Sequence, residues 1–115
     1  RQAMLLQRVA RGADAMSARE ALRIATRGGA EVLGRHDCGQ ITPGKCADIA
    51  IWDTRGIESA GSWDPAALLL AGPTQVRDLI VNGRAVVRDG QMVTVDMPAL
   101  VERQNRLANA LAERA

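Results

Sequence analysis

The passage from Leu33 to Asp53 constrains this chain more than any other stretch, because helical pattern precedes it and strand pattern follows it. At its middle, Thr42-Pro43-Gly44-Lys45 predicts a type II turn: proline presets φ at the second position, and glycine supplies the positive φ required at the third. The run Ile49-Ala50-Ile51-Trp52 has no polar face, which predicts a short strand covered on both sides. Asp48 and Asp53 bracket that run and should sit where it meets solvent. A strand would point them to opposite faces, so they read as two flanking caps rather than paired carboxylates.

Upstream, Arg1 to Arg11 reads as a helix, with Met4, Leu5, Arg8 and Val9 at helical spacing and Gly12 as its stop. Ser17-Ala18-Arg19-Glu20 fits a capping box, and Ala21, Leu22, Ile24 and Ala25 give the apolar face of a second helix. Gly28-Gly29 is expected to end it, with a short helical turn from Ala30 to Leu33 leading to Gly34. Downstream, Thr54 to Ser62 is irregular. Asp64-Pro65 then predicts a capped helix over Pro65–Ala71, stopped by Gly72-Pro73. Three strands follow, Val76–Val81, Arg84–Val87 and Gln91–Val95. Asn82-Gly83 supplies a type I′ hairpin turn to the first pair, and Arg88-Asp89-Gly90 joins the second. Asp96-Met97-Pro98 starts a last helix to about Glu113, with Leu100, Val101, Leu107, Ala108 and Leu111 on one side. A sheet of about four strands leaves large apolar faces to cover, and the leading helices have no sheet of their own. The chain reads as a piece of something bigger.

A chain of 115 residues is one domain's worth at most and buries roughly 65% of its unfolded surface. Hydrophobic residues at 47% and charged residues at 24% argue for a globular protein rather than a disordered one. No apolar run approaches the roughly 20 residues that span a bilayer, and no signal-peptide pattern opens the chain. The net charge of +2 is spread without any block of five like charges, and Trp52 and Trp63 are the only aromatic residues. Neither a nucleic-acid surface nor a membrane anchor is indicated. Cys38 and Cys46 are too few for a disulfide scaffold, so a cytoplasmic location is the simplest expectation.

His36, Asp37, Cys38 and Cys46 form the one local cluster of metal-ligating residue types. Their spacing matches no standard zinc site, and a loop histidine with two half-buried thiols is the plainer reading. A Cys–His nucleophile pair would lack a third, orienting group. The glycines form neither a phosphate-binding loop nor a G-x-G-x-x-G motif, and helix ends and turns explain them. Arg84 and Arg88 read as a solvated edge that discourages further strand pairing. No catalytic, cofactor-binding or metal-binding residue is assigned within this chain.

Three segments nevertheless carry a family resemblance. Ala25-Thr26-Arg27-Gly28-Gly29-Ala30-Glu31-Val32-Leu33-Gly34-Arg35 resembles the last barrel-associated helix of the amidohydrolase superfamily. Asp37 to Asp48 resembles its G-x-hydrophobic-x-x-G-K-x-A-D segment, and Val81 to Gly90 its closing V-N-G-x-x-V-x-x-G hairpin. Arg1 to Arg8 and Thr26 to Ala30 are most similar to the 8-oxoguanine deaminase branch, which also includes guanine, cytosine and triazine deaminases and chlorohydrolases. The resemblance implies an α/β fold, the C-terminal portion of a (β/α)8 metal-dependent hydrolase. Residues 1–36 would be terminal barrel helices, residues 37–95 part of a composite β-sandwich with one short helix, and residues 96–115 a C-terminal helix.

It also implies zinc or another divalent metal in the full-length enzyme, lowering the pKa of bound water for attack on a ring carbon that loses ammonia. The implied partner is a small heterocyclic substrate, with homo-oligomers possible. The family's histidine motifs are absent, and its last-strand aspartate would lie upstream of Arg1. The segment is therefore expected to bind no metal and to act as scaffold. The alternative is a stand-alone, non-catalytic β-domain for protein association. The sequence just before Arg1 would discriminate the two.

Overall fold

Ser17 Oγ accepts the Glu20 amide at 3.2 Å, and Glu20 Oε2 accepts the Ser17 amide at 2.7 Å. This reciprocal cap starts α2 (Ala18–Arg23) in the computed structural model, which describes residues 1–72 and 74–114. Before it, α1 spans Gln2–Arg11 and stops at Gly12, whose φ is 112°.

Gly28-Gly29 does not end the second helix. A π turn, Ile24–Gly28, carries the chain straight into α3 (Gly29–Val32), with both glycines at helical angles. Thr26 Oγ1 donates to the Leu22 carbonyl at 2.8 Å, an extra bond at the widened turn. The actual stop is Gly34, at φ 66°. The Gly34 amide donates to the Glu31 carbonyl and the Arg35 amide to the Ala30 carbonyl, the paired bonds of a Schellman cap.

The continued helix carries a close tertiary contact. The loop backbone at Gly39 presses on this helix, where an added Cβ would lie 2.8 Å from Ala30 Cβ and 3.1 Å from the Thr26 carbonyl. The two glycines inside the run each cost a helix roughly 1 kcal/mol, and the helix continues through both.

Four antiparallel strands form one sheet in the order β1-β2-β3-β4: β1 (Ile49–Asp53), β2 (Gln75–Val81), β3 (Arg84–Arg88) and β4 (Gln91–Met92). Ile49 faces Ile80 and Asp53 faces Gln75, with a bulge after Ile51. Asn82 and Gly83 both take positive φ, as a type I′ turn requires, and so do Asp89 and Gly90. The Arg77 carbonyl, at the bulge in β2, accepts the Gly90 amide at 2.8 Å, which ties the second hairpin to the first.

The last strand is shorter than Gln91–Val95. After a single further bond, from the Val93 amide to the Val86 carbonyl, the chain bends toward the Asp96 cap. Arg88 is also no free edge, because it pairs with Gln91.

Asp64 caps α4 (Pro65–Ala71) through the Ala66 amide, and its carboxylate also accepts Arg19 at 2.8 Å, joining α4 to α2. Ala21 and Ala66 are buried on these two helices. Of the expected Gly72-Pro73 stop, Pro73 lies outside the described residues. Asp96 accepts the Ala99 amide and starts α5 (Met97–Ala112). The final residue of the expected 96–115 segment, Ala115, also lies outside the described residues.

Among the described residues no large side chain is fully buried; the buried apolar ones are Met4, Ala21, Ala30 and Ala66. The expected double cover of β1 is therefore not supplied by the described residues, and Ile51 and Trp52 stay exposed. The radius of gyration, 18.4 Å, exceeds the ~13 Å expected of a self-contained domain of this length.

Candidate functional site

The Thr42–Lys45 turn closes by a bond from the Lys45 amide to the Thr42 carbonyl at 3.1 Å, with Gly44 at φ 86°. It folds residues 45 and 46 back onto residues 35–37, just past the end of the helix. There the Arg35 guanidinium makes two bonds to the Asp37 carboxylate, Nε to Oδ1 at 2.9 Å and Nη2 to Oδ2 at 2.8 Å. Cys46 Sγ donates to the same Oδ2 at 3.1 Å, and the Cys46 amide donates to the Asp37 carbonyl at 2.7 Å. Lys45 Nζ donates to the His36 carbonyl.

Bidentate pairing with Arg35, then the thiol bond, holds the Asp37 carboxyl well below the usual carboxylate range. The hydrogen bond to Asp37, followed by burial, pushes the Cys46 thiol above its ordinary value. A nucleophilic cysteine needs the opposite shift. His36 meets this cluster only through its backbone carbonyl. The structure thus brings Asp37 and Cys46 together, but as a lock on the loop and not as a reactive pair.

Asp48 accepts the Asn82 amide at 2.7 Å and so caps the hairpin turn. Asp53 accepts Arg55 through both carboxylate oxygens, at 3.0 and 2.7 Å, and is held below the usual range chiefly by that guanidinium. The two aspartates do not converge, in keeping with their reading as caps. Among the described residues, no three His, Cys, Asp or Glu side chains are grouped to hold a metal ion.

One hollow opens at the lock, and a larger cleft lies beyond it. The hollow is polar, about 260 Å³ in volume, and lined by Arg27, Glu31, His36 and Lys45 among others. Of its three cations, Arg35 and Lys45 are already engaged by Asp37 and the His36 carbonyl. The apolar cleft of about 730 Å³ separates the second helix from β1 and is lined by Leu22, Leu33, Ile41, Ile49, Trp52 and Leu70. Neither converges polar groups on a point where a reacting atom would sit. The Arg35–Asp37–Cys46 lock escaped sequence reasoning; its only local sign is the Arg-x-Asp spacing ahead of the Pro-Gly turn.

A sequence profile described as the amidohydrolase family matches residues 1–86. An 8-oxoguanine deaminase of Pseudomonas aeruginosa is 41% identical over 112 residues, covering 96% of this chain and 25% of that protein. A 5-methylthioadenosine/S-adenosylhomocysteine deaminase of Desulforudis audaxviator is 35% identical over 117 residues, covering 98% of this chain and 27% of that protein. Among solved structures, an adenosine deaminase from Xanthomonas campestris with bound zinc superposes with a TM-score of 0.87 at 30% identity. That match covers 96% of this chain, and so extends into α5, and 26% of the solved one. The chain spans about a quarter of the length of the curated relatives it matches.

Proposed function

The chain belongs to the amidohydrolase family, and from that premise we propose that it is the C-terminal part of a metal-dependent enzyme that hydrolytically deaminates a purine-type heterocycle of the 8-oxoguanine kind. The observation that carries this reading is the 41% identity to an 8-oxoguanine deaminase across nearly the whole chain. Residues 1–36 are read as terminal barrel helices, residues 37–95 as a share of a composite β-sandwich, and residues 96–115 as a C-terminal helix.

The residues present do not fit a divalent-metal centre. Asp37 is committed to Arg35 and Cys46, Asp48 to the Asn82 amide, and Asp53 to Arg55. No step of the reaction is routed through them. Their role is to fix loops: Asp37 pins the passage from helix to strand, and Asp48 pins the hairpin to it. Metal ligands and proton-transfer groups are proposed to come from the rest of the polypeptide.

The rival reading, a stand-alone association domain, would have to bury its own large side chains. None of those described here is fully buried, which favours a segment completed by further structure.

Ammonia release from the intact, metal-loaded protein tests the proposal on a panel of 8-oxoguanine, guanine, cytosine, 5-methylthioadenosine and a triazine. The highest kcat/KM is expected on 8-oxoguanine. Turnover of the triazine or cytosine alone would overturn the substrate class while keeping the enzyme class. Inactivity on the whole panel would count against both.

A further inference from the structure

Asn82-Gly83 and Asp89-Gly90 are the two places in this chain where Asn or Asp precedes glycine. Both form hairpin turns, and both are held in the same way. At the first, the Asn82 amide donates to Asp48 Oδ1 at 2.7 Å and the Gly83 amide to the Ala47 carbonyl at 3.0 Å. At the second, the Asp89 amide donates to Asp78 Oδ1 at 3.3 Å and the Gly90 amide to the Arg77 carbonyl at 2.8 Å. In each case an aspartate and the carbonyl just before it take the two amides of the turn. The same clamp thus recurs at both Asx-Gly dipeptides.

An Asn-Gly dipeptide carries a nucleophile and an electrophile in one bond's reach. Loss of the Gly83 amide proton to solvent base lets that nitrogen attack the side-chain amide carbon of Asn82. The bond to the side-chain nitrogen breaks, ammonia leaves with a proton from solvent, and a five-membered succinimide remains. Water opens the ring at either carbonyl, giving aspartate or isoaspartate at position 82; the balance is one water taken up and one ammonia released. Access is no obstacle, because Asn82 and Gly83 are exposed and a Cβ at Gly83 would meet nothing within 4 Å. The clamp opposes the reaction at two points. The proton that must leave is bound to the Ala47 carbonyl, and the Asp48 bond holds Asn82 in the left-handed region at φ 49°.

From this geometry we propose that Asn82 is a spontaneous deamidation site, and that the Ala47–Asp48 clamp holds its reaction down in the folded protein. The reaction proceeds through local opening of the turn, and its rate follows the open population. Its product is damaging. Isoaspartate adds a methylene to the backbone of a two-residue turn, and either product sets a second carboxylate beside Asp48 at the junction of β2 and β3. The inference is independent of the deaminase reading.

Peptide mapping of the intact protein, incubated in mildly alkaline buffer, follows the mass gain of the amide-to-acid change at position 82. A synthetic peptide of residues 78–87 serves as the unclamped reference. Deamidation in the folded protein is expected at least about tenfold more slowly than in the peptide. Asp48→Ala, while still folded by circular dichroism, should raise the rate about tenfold, the change in open population that loss of one charge-assisted hydrogen bond brings. Asp48→Asn keeps an acceptor oxygen and should stay near the wild-type rate. Equal rates in protein and peptide, or an Asp48→Ala rate no higher than wild type, would overturn the proposal. An Asp48→Asn rate matching that of Asp48→Ala would overturn the hydrogen bond as the restraint. Hydrogen exchange of the Gly83 amide in the wild-type protein needs no variant: protection supports the clamp, and exchange at the peptide rate would overturn it. No readout involves turnover of an added substrate, so failure here is distinguishable from failure of the deaminase reading.

Discussion

Asp37 and Cys46, nine residues apart, are bonded twice: the Cys46 thiol donates to the Asp37 carboxylate at 3.1 Å, and the Cys46 amide donates to the Asp37 carbonyl at 2.7 Å. The side-chain bond raises the thiol pKa, so less of the reactive thiolate is present near neutral pH. In a Cys38→Ala background of the intact protein, iodoacetamide should therefore label Cys46 several-fold faster once Asp37→Ala is introduced. An unchanged labelling rate at pH 8 would show that the bond does not control the thiol.

The same carboxylate sets a pH dependence. Pairing with Arg35 depresses its folded-state pKa below the unfolded value of about 3.9, so its stabilisation is fully present above that value. As pH falls below it toward the folded-state pKa, the stabilisation is lost. Denaturant midpoints measured from pH 7 downward should fall less steeply below about pH 4 for Asp37→Asn than for the wild type, while Asp53 and Asp78, also depressed, keep part of the slope in both.

Gly39 and Gly44 separate steric from conformational cost. Both have positive φ, 83° and 86°. A Cβ at Gly44 meets nothing within 4 Å, whereas one at Gly39 meets Ala30 Cβ at 2.8 Å. Gly44→Ala should cost about 1 kcal/mol from backbone strain alone, and Gly39→Ala about 3 kcal/mol once overpacking is added. Equal shifts in thermal unfolding would mean that the loop does not press on the helix in solution.

Local chemistry made part of this fold legible in the sequence. The Ser17 capping box, the Asp64 and Asp96 caps, the Pro43-Gly44 turn and the Asn82-Gly83 turn each depend on a few adjacent residues, and each formed. Gly28-Gly29 misled because glycine also adopts ordinary helical angles, and here the chain runs through both to stop at Gly34. The Ile49–Trp52 run was legible as a strand, but its double cover was not, since the described residues do not supply it. At the candidate site, the roles of Asp48 and Asp53 as caps were legible from strand alternation. The Asp37–Cys46 bond was not, because it exists only after the Thr42–Lys45 turn has closed.

The Asn82-Gly83 turn gives a purely conformational test. Gly83 is at φ 78° with open space around it, so a β-branched residue there meets strain and no clash. Gly83→Val should cost roughly 1–3 kcal/mol. An unchanged denaturant midpoint in the intact protein would show that the turn relaxes to another type without loss.

The scaffold assignment is tested most directly by 8-oxoguanine turnover per folded molecule in the intact, metal-loaded protein, with wild type and the His36→Ala/Cys38→Ala double variant side by side. Ammonia release at the same kcat in both is expected, because neither side chain belongs to a grouped metal or nucleophile site. Loss of turnover in the variant at full metal occupancy and unchanged folding would contradict the scaffold assignment by placing a catalytic group in this segment.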